Sequence, residues 1–242
     1  MASVRSVFPA GHPCHILQHG AGARSLFRKD KDRYVYLQLL REAGETHGLS
    51  FDGYCLMSDH IHLIAIPAGE DSLRRGLQWV QRAYASYRRG SYGGGGRLWR
   101  TPLCCSLAGG PDRWKALAYA EVNPVRAGLC AAPEDYGWSS ARAHLDSDKP
   151  HLLLRMETWS LEWDAVTWRT ALGRMGGDYL FWRRLREATR TGGPLEAART
   201  SACVEWRSGQ FFRSRSRAMA AKAAAAGRSG PAPAQARLDF GA

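Results

Sequence analysis

The chain has 242 residues, enough for one well-buried domain with a smaller appended piece and too few for two full domains. Its 45% hydrophobic and 10% aromatic residues can build a packed core, which excludes general disorder. The 34 Lys and Arg against 22 Asp and Glu give a net charge of +12 and a pI of about 9.8, a balance that favours polyanionic partners, nucleic acid first, over charge kept only for solubility.

Residues 13–18 (PCHILQ) read as a first strand, followed by the Gly-containing loop HGAGARS. From Asp30 to His47 the apolar positions Val35, Leu39 and Ala43 recur at helical spacing, and Gly48 supplies a stop. Residues 50–57 and 60–66 are β-rich and separated by Ser58 and Asp59, which predicts an antiparallel hairpin. Asp71 or Ser72 can cap a second helix running to about Arg89, where SYGGGG breaks it. A short strand follows at 101–107, and Pro111 opens a third helix that must end near Asn123, because Pro124 disfavours helical geometry before it.

This order of elements predicts an α+β fold, a ferredoxin-like antiparallel sheet with helices packed on it, over residues 1–150. Residues 151–206 read as a Trp-rich helical extension. Residues 207–242 read as a basic, Ala- and Ser-rich disordered tail; from 201 onward it holds seven Lys or Arg and two acids.

The six cysteines form no C-x-x-C pair and no framework spacing, which speaks against a zinc finger or a secreted disulfide scaffold. The first residues lack an apolar signal core, and no apolar run approaches a membrane span. The expected location is the cytoplasm, with no membrane partner. The GGGG at 93–96 lacks the Lys that completes a phosphate loop, so no nucleotide cofactor is expected.

Two pairs of residues carry chemistry. Side chains two apart in a strand share a face, so His60 and His62 project together, away from Ile61 and Leu63, where one metal ion could bind both. Two histidines in ordinary hydrogen bonds are the competing reading. Tyr119 and Asn123 in ALAYAEVNPVRAGL are four apart and lie one above the other on a helix face. A core tyrosine with a wet hydroxyl competes there, and Tyr34 and Gln38 repeat the spacing on the first helix.

Residues 72–100 hold seven arginines (Arg74, Arg75, Arg82, Arg88, Arg89, Arg97, Arg100) and no acid, interleaved with Trp79, Tyr84, Tyr87, Tyr92 and Trp99. Arginine grips phosphates and aromatics stack on unpaired bases, so the segment, with Trp79, Tyr87, Trp99 and also Arg126, is read as a DNA contact. A solvated basic helix over core aromatics is the alternative.

The stretches HILQHGAGARSLF, YCLMSDHIHLIAIP, LW at 98–99, AYAEVNPVRAGL, YGWSSARAH and LREATRTGGPL span roughly residues 12–195. Together they resemble the HUH single-tyrosine transposases, and within them the REP-associated tyrosine transposases. The resemblance implies that His60 and His62 are the metal pair, Asn123 the third ligand and Tyr119 the nucleophile, acting on single-stranded DNA hairpins with Mg²⁺ or Mn²⁺. Mn²⁺ suits imidazole better. The tyrosine would form a 5′-phosphotyrosine and free a 3′ hydroxyl that can rejoin another strand. In that family a basic C-terminal portion helps to hold the hairpin. For this chain a prokaryotic, nucleoid-associated location is expected, and the oligomeric state, monomer or homodimer, stays open.

The chain departs from the family where RTPLCCSLAGG replaces a Gly-Arg-aromatic stretch and where Gly193 stands for an expected Arg. The alternatives are a catalytically inactive DNA-binding protein recognising palindromic repeats, and a replication initiator or relaxase-like nicking enzyme.

Overall fold

The strand CHILQH alternates between two faces. Cys14 and Ile16 join an aliphatic and aromatic core, and Gln18 Oε1 accepts a hydrogen bond from Tyr36 on the same side, whereas His15 points the other way. That division organises the molecule. The computed structural model describes residues 8–23, 25–108, 110–146, 151 and 153–195.

Strand β1 (Cys14–His19) is followed by α1 (Asp30–His47), the hairpin β2 (Leu49–Leu56) and β3 (His60–Pro67), α2 (Ser72–Tyr92) and β4 (Leu103–Ser106). Next come α3 (Pro111–Glu121), α4 (Asn123–Arg126), α5 (Ala141–Leu145), α6 (Met156–Ser160), α7 (Ala165–Met175) and α8 (Tyr179–Thr191). The sheet order is β2-β3-β1-β4 with every neighbour antiparallel, as expected of a ferredoxin-like sheet. Helix α1 spans the predicted residues because Gly48 takes the left-handed conformation (φ 67°) that ends it. Helix α2 runs on to Tyr92, past the expected Arg89.

One face of the sheet (Ile16, Leu56, Ile61, Leu63) packs on α1 and α2 through Tyr36, Leu40, Leu77 and Tyr84. The other face receives α3, α7 and α8, where Ile64 and Cys105 meet Trp114, Leu117, Trp168, Leu172, Trp182 and Leu185. The described part of the Trp-rich extension is helical and packs under α3, where it completes this core. The tail from residue 196 onward, with its expected role at the hairpin, lies outside the described residues.

Three features seat α3. A Cβ on Gly53 of β2 would overlap Leu117 Cδ1, so only glycine lets the helix approach this closely. Asp52, the extra residue of a bulge between Phe51 and Gly53, forms a two-pronged ion pair with Arg113 at 2.6 and 2.5 Å. Glu121, fully buried, accepts hydrogen bonds from Ser140 Oγ (2.5 Å), His144 Nδ1 (2.6 Å) and Trp168 Nε1 (2.9 Å).

Pro124 interrupts the helix but does not end the helical path. Val122 stays right-handed (φ −84°, ψ −3°) and the chain resumes as the single turn α4, with Pro124 in its first turn, where the missing N–H is not needed. Among the described residues no helix is long and apolar enough to cross a membrane, and the described cysteines are free thiols.

Candidate active site

Strand alternation puts His60, His62 and Ile64 on the α3 face and Ile61 and Leu63 on the other, as the two-residue period predicts. The two imidazoles meet edge to face with centroids 5.1 Å apart. His62 is 2% exposed, whereas His60 lies nearer the surface, with Nδ1 2.8 Å from Asp59 Oδ1. Burial would raise the Asp59 carboxyl, but the His60 hydrogen bond and charge outweigh it and hold its pKa below the ordinary value. Burial, followed by the neighbouring His15, His60, His19 and Arg126, pushes the His62 pKa well below the usual histidine range, so His62 is neutral at pH 7.

Helix α3 delivers Tyr119 to the same spot. Its ring stands edge-on to His62 (5.4 Å) and to His15 (5.9 Å). Asn123, at the start of α4, places Nδ2 2.8 Å from His62 Nε2. The Tyr119 ring is 5% exposed, and among the described residues no group hydrogen-bonds its hydroxyl. Arg126 lies over the Tyr119 ring at 5.3 Å and over Trp182 at 4.0 Å. All four predicted active-site residues thus share one site, while the decoy Tyr34 is 62% exposed and packs on Trp138.

A search of solved structures finds the REP-associated tyrosine transposase bound to a REP hairpin, at a TM-score of 0.51 and 15% identity over 63% of this chain and 90% of that one. This chain has the REP-associated tyrosine transposase fold. No protein-family model and no curated protein sequence matches it.

On this transposase fold three further residues join the site that sequence reasoning did not assign. His15 of β1 stacks on His62 (5.2 Å), with Nε2 3.0 Å from His62 Nδ1, and its other nitrogen meets Thr189 of α8 at 2.8 Å. Burial lowers the His15 pKa to about 3. His19 lies 5.4 Å from His60, and Trp182 of α8 backs Tyr119 at 6.0 Å. A strand that alternates His15, Leu17 and His19 on one face carried the signal for the two histidines.

The basic segment divides. Arg74, Arg82, Arg89, Arg97 and Arg100 line one cleft of about 1070 Å³ with Gln78, Gln81 and Thr101. Arg100, one of its lining residues, donates its backbone N–H to the His19 carbonyl at 2.9 Å. Arg74 and Arg75 are exposed and lie 2.9 and 3.9 Å from Asp71, which with Glu70 also lines the cleft. Others of the expected DNA contacts are engaged by partners within the protein, although Trp99 also lines the cleft. Arg88, 9% exposed, pairs with Asp32 at 3.2 Å, and Tyr87 donates to the same carboxylate. Trp99 is 5% exposed and its indole N–H donates to the Gln81 carbonyl, while Trp79 packs half-buried beside His47.

Proposed function

We propose that this chain cleaves and rejoins single-stranded DNA at hairpins, with Tyr119 as nucleophile and a divalent cation, Mg²⁺ or Mn²⁺, held by His60, His62 and Asn123. The observation that carries the reading is the convergence on His62, where Asn123 lies 2.8 Å from Nε2 and the Tyr119 ring stands edge-on at 5.4 Å.

The donor set fits a cation. Adjacent ligands of an octahedral ion bound at roughly 2.1 Å stand about 3 Å apart, close to the separation of His62 Nε2 and the Asn123 amide. Turning that amide over presents its oxygen, the atom a hard cation prefers. His60, with Nδ1 on Asp59, has Nε2 left to bind. A bound divalent cation would polarise a phosphate oxygen and favour the phenolate.

Tyr119 Oη forms a bond to phosphorus as the bond from phosphorus to the 3′ oxygen breaks. The phenolic proton is lost to solvent and the departing 3′ oxygen regains one, which leaves a 5′-phosphotyrosine and a 3′ hydroxyl. One ester replaces another, so the step reverses, or joins a second strand, without a nucleotide energy source. Trp182 and His62 clamp the tyrosine ring, and Arg126 adds a positive charge at its side. The Arg-lined cleft supplies phosphate contacts. The relative of the same fold holds a REP hairpin, which supports a folded single strand as substrate.

The burial of the Tyr119 ring favours a second reading, binding without cleavage. Incubating the full chain with a single-stranded hairpin oligonucleotide and Mn²⁺ separates the two. Cleavage predicts a covalent adduct on a denaturing gel that Tyr119→Phe reduces by more than ~10³-fold while hairpin affinity persists. Tight binding with no adduct supports the second reading.

A further inference from the structure

The site is wired to the helix that lies furthest along the described chain. Thr189 Oγ1 has one proton and donates it to the Leu185 carbonyl at 2.6 Å, an acceptor with no hydrogen of its own. Towards its other neighbours Oγ1 can therefore only accept. Those neighbours are His15 Nδ1 at 2.8 Å and Cys105 Sγ at 3.3 Å.

His15 Nδ1 must then carry hydrogen. A neutral imidazole has one N–H, so His15 Nε2 is a bare lone pair. It faces His62 Nδ1 at 3.0 Å, which must supply the hydrogen between them. His62, neutral in its turn, has its own lone pair on Nε2, the nitrogen 2.8 Å from Asn123.

We infer that Thr189 and His15 are positioning residues, a buried hydrogen-bond relay that fixes the tautomer of His62 so that Nε2 faces the site as a lone pair. The direction of every bond follows from the single hydroxyl proton of Thr189. Were that hydroxyl absent, His15 could place its hydrogen on Nε2, and His62 would then carry its own on the nitrogen needed for a ligand. The consequence for a cation rests on the proposed role of His62 as a ligand; the tautomer itself does not. Partners of this kind behind a histidine ligand typically change metal affinity 10–100-fold when removed.

The test uses the full chain, ¹⁵N-labelled and metal-free, with the His62 ring nitrogens read by NMR and Mn²⁺ binding read by electron paramagnetic resonance. Wild type and Thr189→Ser, which keeps the hydroxyl, are expected to show His62 protonated on Nδ1. Thr189→Val, and His15→Phe as a second removal from the other end, are expected to show the Nε2-protonated form. Both removals should weaken Mn²⁺ binding 10–100-fold, with Thr189→Ser staying near wild type. An unchanged His62 tautomer in both removal variants overturns the inference, as does a loss in Thr189→Ser equal to that in Thr189→Val. If wild type binds no Mn²⁺ while the tautomer shifts as stated, the cation reading fails and the relay stands.

Discussion

The two faces of one sheet are built on different principles. Towards α1 and α2 the strands present Ile16, Leu56, Ile61 and Leu63 to a conventional apolar core, and the buried carboxylate there, Asp32, is satisfied at the rim by Arg88, Tyr87, Tyr92 and the backbone N–H groups of Arg28 and Lys29. Towards α3 and α8 the same strands bury His15, His62 and Asp52, and the helices add Glu121, His144 and Thr189. Burying polar groups is unfavourable unless each finds a partner, and here the partners interlock. The face that is harder to stabilise is the one that gathers a phenol, four imidazoles and an amide. Stability and site geometry should therefore be separable on the first face and inseparable on the second.

Glu121→Ala should break that comparison most severely. It strands Ser140, His144 and Trp168 and loosens the helix that carries Tyr119, at a cost of about 4 kcal/mol in urea unfolding, with adduct yield falling in parallel.

On the opposite face, Asp32→Asn leaves Arg88 with a neutral partner and should cost about 3 kcal/mol without altering Mn²⁺ affinity. Burial would raise the Asp32 carboxyl, but hydrogen bonds from the Arg28 backbone, Tyr92, Tyr87 and the Lys29 backbone outweigh it and hold its pKa below the ordinary value. A depressed folded-state pKa contributes stability that is present above the unfolded value of roughly 4 and lost as pH falls through the lower, folded value. The stability gap between wild type and Asp32→Asn should accordingly narrow below about pH 4 in acid unfolding curves.

The smallest effect concerns the cleft. Replacing Arg82 or Arg97 by Ala should reduce the slope of log affinity for a single strand against log salt by about 0.7 for each phosphate that the side chain neutralises. Arg88→Ala should change stability and leave that slope alone.

What is legible in the sequence follows the same division. The αββα order, the 30–47 helix and the 58–59 hairpin are local matters of period and turn residue, and they can be read as such. So can the convergence of His60, His62, Tyr119 and Asn123, given the motifs that carry the resemblance. The link between His15 and Thr189 is not legible, because it joins residues 174 apart and depends on strand register and on where α8 docks. Arg88 and Tyr87 mislead for a related reason: a run of arginines shows charge but not direction, and the Asp32 that captures Arg88 lies 56 residues away. The end of α3 is legible as well, since Pro124 predicts a stop near Asn123 and the helix closes at Glu121, before the separate turn α4.

Tyr119 is the residue proposed to take hold of DNA, and peptide mass spectrometry of the protein after reaction with a hairpin oligonucleotide and Mn²⁺ asks that directly. The prediction is a nucleotide remnant on the peptide containing Tyr119, at that residue, and absent when His62→Ala is treated in the same way. A remnant on any other tyrosine, or a tightly bound hairpin with every tyrosine unmodified, would contradict it.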